Sequence, residues 1–151
     1  MIDFTPVNFV VPGQPVGKGR HKSSSRVVNG KVFTRQYTPE KTANYESLIA
    51  ITAQQAMAGR ALIAGPVLVE MKIIVAVAAS WSKKKTAMAL AGTVMPTKKP
   101  DVDNVEKAIF DGMNGVVWVD DVQVVNVSKS KRFGETPGVS VRVVPLMGES
   151  S

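Results

Sequence analysis

The chain has 151 residues, 44% of them hydrophobic and none of them cysteine. That is long enough to fill one core, and it excludes a disulfide framework and a thiolate metal site. Its 19 lysines and arginines against 12 acids give a net charge of +7, which suits a polyanionic partner, nucleic acid above all, or simply a soluble surface.

No secretory leader is expected at the start of the chain, because Asp3, Pro6 and Asn8 interrupt it, and no run of about 18 apolar residues follows anywhere. A cytoplasmic protein is expected. Residues 7–11 read as an opening strand closed by Pro12-Gly13. From Gly17 to Arg35 lie six basic residues and no acid, Lys18, Arg20 and Lys22 among them. This stretch predicts a loop or hairpin ordered by phosphate, its bland alternative being a solvated loop. His21 is the only histidine, so a histidine-rich metal centre is excluded; a phosphate contact or no role remain for it.

Thr38-Pro39-Glu40 predicts a helix start, with Thr38 as N-cap and proline at the first helical position. Tyr45, Leu48, Ile49, Ala53, Ala56 and Met57 then recur on one face up to Gly59, as in a helix that covers a sheet. Residues 67–77 alternate as a long strand with one apolar face, and this strand should be central. Residues 82–91 form a second helical candidate, opened by Lys83-Lys84-Lys85 and stopped at Gly92. Lysines at a helix N-terminus oppose the macrodipole, a cost that phosphate contact offsets unless the turn is merely solvated. The seven methionines are expected as core fillers.

Half of the acids, Asp101, Asp103, Glu106, Asp111, Asp120 and Asp121, crowd into residues 101–121 of this basic chain. Crowded carboxylates repel one another unless a cation compensates, and a hard divalent ion with oxygen ligands, magnesium first, is the usual one. If Pro100 and Asp101 end an extended approach, Asp101 and Asp103 face one side. Asp103 opens an Asp-x-x-Glu helix start with Glu106, followed by Val105, Ala108, Ile109 and Met113 at helical spacing, and the helix should stop near Asn114-Gly115. Lys107 lies one turn after Asp103 and can reach whatever the carboxylates hold. Lys98 and Lys99 deliver positive charge beside them. Trp118 is expected to pack the helix on the sheet and so to place Asp120-Asp121, base stacking by Trp81 or Trp118 being the rarer alternative. Residues 122–131 and 139–143 alternate as strands, with residues 134–138 between them as the turn of an antiparallel hairpin.

The run Asp101-Val-Asp-Asn-Val-x-Lys-Ala-x-x-Asp111, followed by Trp118-Val-Asp-Asp-x-Gln-Val-Val125, resembles the RusA family of Holliday junction resolvases, magnesium-dependent endonucleases of bacteria and their prophages. The resemblance spans residues 98 to the C-terminal strand, with weaker similarity in the first strand and basic loop. It implies that Asp101, Asp103, Asp121 and Lys107 are catalytic. The three aspartates would hold one or two Mg2+, with Mn2+ as a substitute, to activate water and clamp the phosphate. Lys107 would steady transition-state charge. Asn104 is expected to orient a ligand or the phosphate, and Asp120 to support a ligand or add one. Glu106 and Asp111 read as capping and surface residues. Lys18, Arg20, Lys22, Lys83, Lys84, Lys98 and Lys99 are expected to contact DNA.

A junction must be nicked in two strands related by an approximate two-fold, which a C2 homodimer supplies. The expected fold is α/β of the α+β type: a single domain over residues 1–151, a mixed β-sheet with covering helices, assembled as a homodimer on branched DNA. Two other readings compete. In one, the chain is a non-catalytic DNA-binding protein with structural acids. In the other it is a nucleotide-sugar transferase using Asp-x-Asp, a poor fit to this short basic chain.

Overall fold

The computed structural model describes residues 2–19, 22–37 and 40–151. In chain order the elements are β1 (Val7–Pro12), β2 (Lys22–Val28), β3 (Lys31–Tyr37), α1 (Glu40–Met57), β4 (Val67–Ala76), α2 (Lys83–Leu90), α3 (Val102–Met113), β5 (Val124–Gly134) and β6 (Gly138–Pro145). The fold is thus mixed α/β, with three helices and a mixed sheet.

Side chains alternate across a strand, and β4 uses that alternation fully. Val67, Val69, Met71, Ile73 and Val75 are all buried on one face. Such a strand needs neighbours on both sides, and the sheet order β1-β6-β4-β5 provides them. β4 runs antiparallel to β6 and parallel to β5, and β1 is antiparallel to β6. The same inward face continues through Val7, Phe9 and Val11 of β1 and Val139, Val141 and Val143 of β6. Onto it pack α1, through Tyr45, Ile49, Ala53 and Met57, and α3, through Val105, Ala108, Ile109 and Met113. The two helices approach closely at Gly112, where an added Cβ would lie 2.7 Å from Ile49 Cγ2 and 3.0 Å from the Glu46 carbonyl.

The expected terminal hairpin does not form. β5 and β6 both border β4 and do not pair with each other. Periodicity located the two strands but carried no information on who lies between them. The burial demand of β4 decides it, because this strand fits only in the sheet interior. The chain crosses the end of β4 by way of two glycines. A Cβ at Gly134 would meet Ile74 Cγ2 at 2.4 Å, and one at Gly138 would meet the Val11 carbonyl at 3.0 Å. β5 therefore forms an edge of the sheet. Val125 is an extra residue on it, since Val67 aligns with Val124 while Leu68 aligns with Asn126.

The basic stretch is a hairpin. β2 and β3 pair antiparallel around Asn29-Gly30, both with positive φ (50° and 76°), the pattern of a tight type I′ turn. Thr38 and Pro39, the expected start of α1, lie outside the described residues. The other ends are as expected: α1 gives way to Ala58 and Gly59, and α2 stops before Gly92, all three at positive φ. Met57, Met71 and Met113 do fill the core. Among the described residues no helix is long and apolar enough to cross a membrane.

Candidate active site

Asp101, not Asp103, is the N-cap of α3. Its extended backbone (φ −69°, ψ 144°) precedes the first helical bond, from Val105 N to the Asp101 carbonyl at 3.0 Å. The helix starts two residues earlier than its Asp-x-x-Glu pattern suggested, so Asp101 and Asp103 do not share the face of a strand. Proline disfavours helical geometry in the residue before it and is well placed just ahead of a helix, which leaves Asp101 as the first available cap. The Asp101 carboxylate makes no capping bond; it lies 3.4 Å from Asn104 Nδ2.

This end of α3 is fixed from two sides. On one, Lys18 N donates to the Asn104 carbonyl at 2.9 Å, and Gly17 runs so close to Asn104 that a Cβ would stand 3.1 Å from the asparagine Cβ. On the other, β5 contributes alternate lysines. Lys131 Nζ donates to the carbonyls of Lys98 and Pro100 at 2.8 and 2.9 Å. Lys129 Nζ donates to Asp103 Oδ1 at 2.7 Å and to Glu106 Oε2 at 3.0 Å. The Lys129 hydrogen bond and charge hold the Asp103 carboxyl below the usual carboxylate range. Burial works against the Lys129 ammonium, but the bonds from Asp103 and Glu106 outweigh it and raise its pKa. Asp103 is nevertheless open to solvent, its side chain 87% exposed, and Lys107 is exposed on the next turn.

Beside Asp101 opens a cleft of about 450 Å³ lined by Gly17, Lys18, Lys41, Lys99, Asp101 and Asn104. Lys99, in its lining, and the preceding Lys98 are both exposed. Lys18 is turned inward and is no free phosphate ligand. Its Nζ is bonded to Glu46 and lies 3.0 Å from Asp111, so its charge pins the 14–19 segment onto α1 and α3. Glu106 and Asp111 are therefore ion-pair residues and cap no helix. Arg20 and His21 lie outside the described residues, and of Lys22 only the backbone, opening β2, is described.

Lys83 and Lys84 are exposed on the first turn of α2, which Ser82 caps by accepting from Lys85 N at 3.1 Å. Lys85 sits 3.9 Å above the Trp81 ring, and Trp81 meets Phe133 of β5 edge-on at 5.2 Å. Base stacking by Trp118 is ruled out by its complete burial. Its indole donates to Asn114 Oδ1 at 2.6 Å, and its ring packs edge-on against Phe110 at 5.3 Å. Trp118 thus fixes the chain that returns from α3 to β5, as expected.

Asp120 caps a single 3-10 turn, Asp121–Gln123, accepting from Asp121 N at 2.9 Å. Gln123 completes this turn. Its Oε1 accepts from Val119 N and Asp120 N, and its Nε2 donates to the carbonyls of Ile63 and Gly65 at 2.7 and 3.0 Å. This places Asp121 at the start of β5, near the C-terminal end of α3. Asp101 and Asp103 stand at the N-terminal end, level with Lys129. Five strand steps from Val124 to Lys129 amount to roughly 17 Å. Among the described residues no three histidine or acidic side chains come together as a metal-holding group. All-oxygen donors suit a hard divalent ion, but one chain alone does not bring the expected three to one point.

Sequence reasoning missed three contributors. The partners of Lys129 could not be read, although positions 129 and 131 share a face by alternation. Lys41 has no local signal. Gln123 had one, since Asp120-x-x-Gln123 is a capping-box spacing.

The family model for endodeoxyribonuclease RusA matches residues 12–144. A protein of Bacillus subtilis (strain 168) named uncharacterized protein YqaN is 38% identical over 139 residues, which cover 91% of this chain and 94% of that protein.

Proposed function

The chain belongs to the RusA endodeoxyribonuclease family, and on that footing we propose that it is a magnesium-dependent, structure-selective endonuclease. It resolves Holliday junctions by paired symmetric nicks, acting as a homodimer in DNA recombination and repair. The observation that carries this reading is Asp101 in the lining of a cleft that also holds Lys18, Lys41 and Lys99, with Asp103 exposed two residues further on. Carboxylates alone repel a phosphodiester and lysines alone only bind it; acids among lysines serve hydrolysis once a cation joins them. Magnesium, with manganese as a substitute, would lower the pKa of the attacking water and neutralise phosphate charge.

The chain's own residues do the rest. Lys98 and Lys99 draw the backbone to the cleft, and Lys131 keeps their loop in place through two carbonyls. Lys83 and Lys84 extend the basic surface along α2. Lys107 stands one turn from Asp103 and offsets charge on the leaving oxygen.

The test is incubation of the protein and its Asp103→Asn variant with a labelled four-way junction and a linear duplex of the same sequence, with magnesium and with EDTA. Symmetric nicks in the junction alone, dependent on metal and lost in the variant while binding persists, are expected. One observation favours a second reading, a DNA-binding protein without catalysis: Asp103 is already neutralised by Lys129. That reading requires equal binding by both proteins and no cutting with any divalent metal.

A further inference from the structure

Alternation puts Lys129, Lys131 and Phe133 on one face of β5, in line with Met71, Ile73 and Val75 of β4. The first two each hold part of the acidic site: Lys129 holds Asp103, and Lys131 holds the loop at Lys98 and Pro100. The third holds Trp81, whose ring meets that of Phe133 edge-on at 5.2 Å. A single strand thus sets Trp81 at a fixed distance from the carboxylates. Four strand steps from Lys129 to Phe133 amount to roughly 13 Å.

Beside Trp81 lies a second cleft, of about 400 Å³, with Trp81, Phe133, Lys85, Met95, Lys98 and Lys99 in its lining and no acid. Lys99 also lines the cleft of Asp101, so the two are adjacent. Unlike Trp118, Trp81 is only half-buried. The Lys85 ammonium lies over its ring at 3.9 Å, on an exposed side chain, a contact that is weak at a wet surface and readily exchanged. Met95, 53% exposed, adds a soft apolar wall. The segment does little for the core, since of α2 only Ala89 is buried. Among the described residues none of Lys83, Lys84, Lys85, Lys98 and Lys99 is paired with a carboxylate.

An accessible indole among unpaired lysines, next to a site for a phosphodiester, suits a nucleobase together with its own phosphates: the base stacks and the lysines take the backbone. Linear duplex offers no free base. At a branch the stack is interrupted, so a base leaves it at lower cost. We propose that this cleft receives one unpaired nucleobase of branched DNA, stacked on Trp81 in place of the Lys85 ammonium, and so favours a branch over linear duplex. This rests on the DNA substrate of the endonuclease reading above. A stacked strand advances about 3.4 Å per nucleotide, so the base lies within about four nucleotides of the scissile phosphate. Stacking needs only a π-face, so the cleft reads the presence of a base and not its identity.

The first test is photochemical and needs no variant. Four-way junctions carrying 5-iododeoxyuridine in turn at each of the four nucleotides on either side of the branch are bound in EDTA, so that no cutting intervenes. They are irradiated, and the attached residue is read by mass spectrometry. A cross-link to Trp81 from one of these positions, absent with linear duplex, is expected; none from any position overturns the proposal. The second test is a double-mutant cycle in EDTA, read by fluorescence anisotropy. An abasic site at the cross-linked position should cost the wild-type protein about tenfold in affinity and cost Trp81→Ala nothing further, whereas Trp81→Phe should stay sensitive to it. No loss at the abasic site in the wild type, or an equal loss in Trp81→Ala, makes Trp81 merely structural and sinks the base site. A wild-type protein that cross-links through Trp81 yet cuts no junction with magnesium keeps the base site and sinks the endonuclease reading alone.

Discussion

Lys129 serves two carboxylates at once, and its replacement separates electrostatics from packing. In Lys129→Met, Asp103 loses the hydrogen bond and charge that hold its pKa down, so its carboxyl should titrate at higher pH than in the wild type, read by NMR titration of the aspartate side chain. The direction of the linkage is fixed. A depressed carboxyl stabilises the fold above its unfolded-state value, and this contribution disappears as pH falls through the folded-state value. The variant should therefore lose stability near neutrality and show a shallower acid limb in urea midpoints measured against pH. No shift of the Asp103 carboxyl would show that the pair is not populated in solution. Lys18 calls for a different prediction. Its ammonium lies between Glu46 and Asp111, and removing it leaves two half-buried acids facing each other. Lys18→Met should cost about 1–3 kcal/mol in urea unfolding while leaving the salt dependence of DNA binding unchanged. A variant of normal stability with a weakened salt dependence would return Lys18 to the DNA-contact set.

Helix α3 is the element on which the acidic site and the core meet, and Gly112 is its tightest contact. An alanine there gains about 1 kcal/mol of helix propensity but forces its Cβ to 2.7 Å from Ile49 Cγ2 and 3.0 Å from a backbone carbonyl. Overpacking costs about 1–3 kcal/mol, and a carbonyl held by α1 yields little, so Gly112→Ala should lower the urea midpoint; an unchanged or raised midpoint would mean that the helices part easily. Much of this architecture was legible in the chain. The alternation of residues 67–77 named the interior strand, the spacing of Val105, Ala108, Ile109 and Met113 named the buried face of α3, and Trp118 was read as its anchor. What was not legible is what depends on neighbours distant in sequence. The strand that lies between β5 and β6 leaves no mark in either of them. The salt bridge from Lys129 to Asp103 joins residues 26 apart, and the separation of Asp121 from Asp103 follows from the length of α3 and the direction of β5. Even the start of α3 was displaced by local competition, since Asp101 and Asp103 are both good caps and Pro100 favours the earlier one.

For the molecule as a whole, the proposed function predicts that Lys98 and Lys99 beside the cleft and Lys83 and Lys84 on α2 should set how DNA binding responds to ionic strength. Each phosphate contact released lowers the slope of log affinity against log salt by about 0.9. Replacing Lys98 and Lys99 together by glutamine should flatten that slope for a four-way junction, as should the Lys83 and Lys84 pair, in fluorescence anisotropy across a salt series. A weaker affinity at unchanged slope would place those lysines away from the phosphates.

The order of the strands also bears on how the protein is made. The last strand, β6, lies between β1 and β4, so during synthesis the first strand has no partner in the main sheet until residues 138–145 have left the ribosome. The apolar faces of β1 and β4 wait together for that moment. A truncated product, or a ribosome stalled before Gly138, thus yields a chain that exposes most of its core to chaperones and proteases, and the cell receives either the whole sheet or a target for clearance.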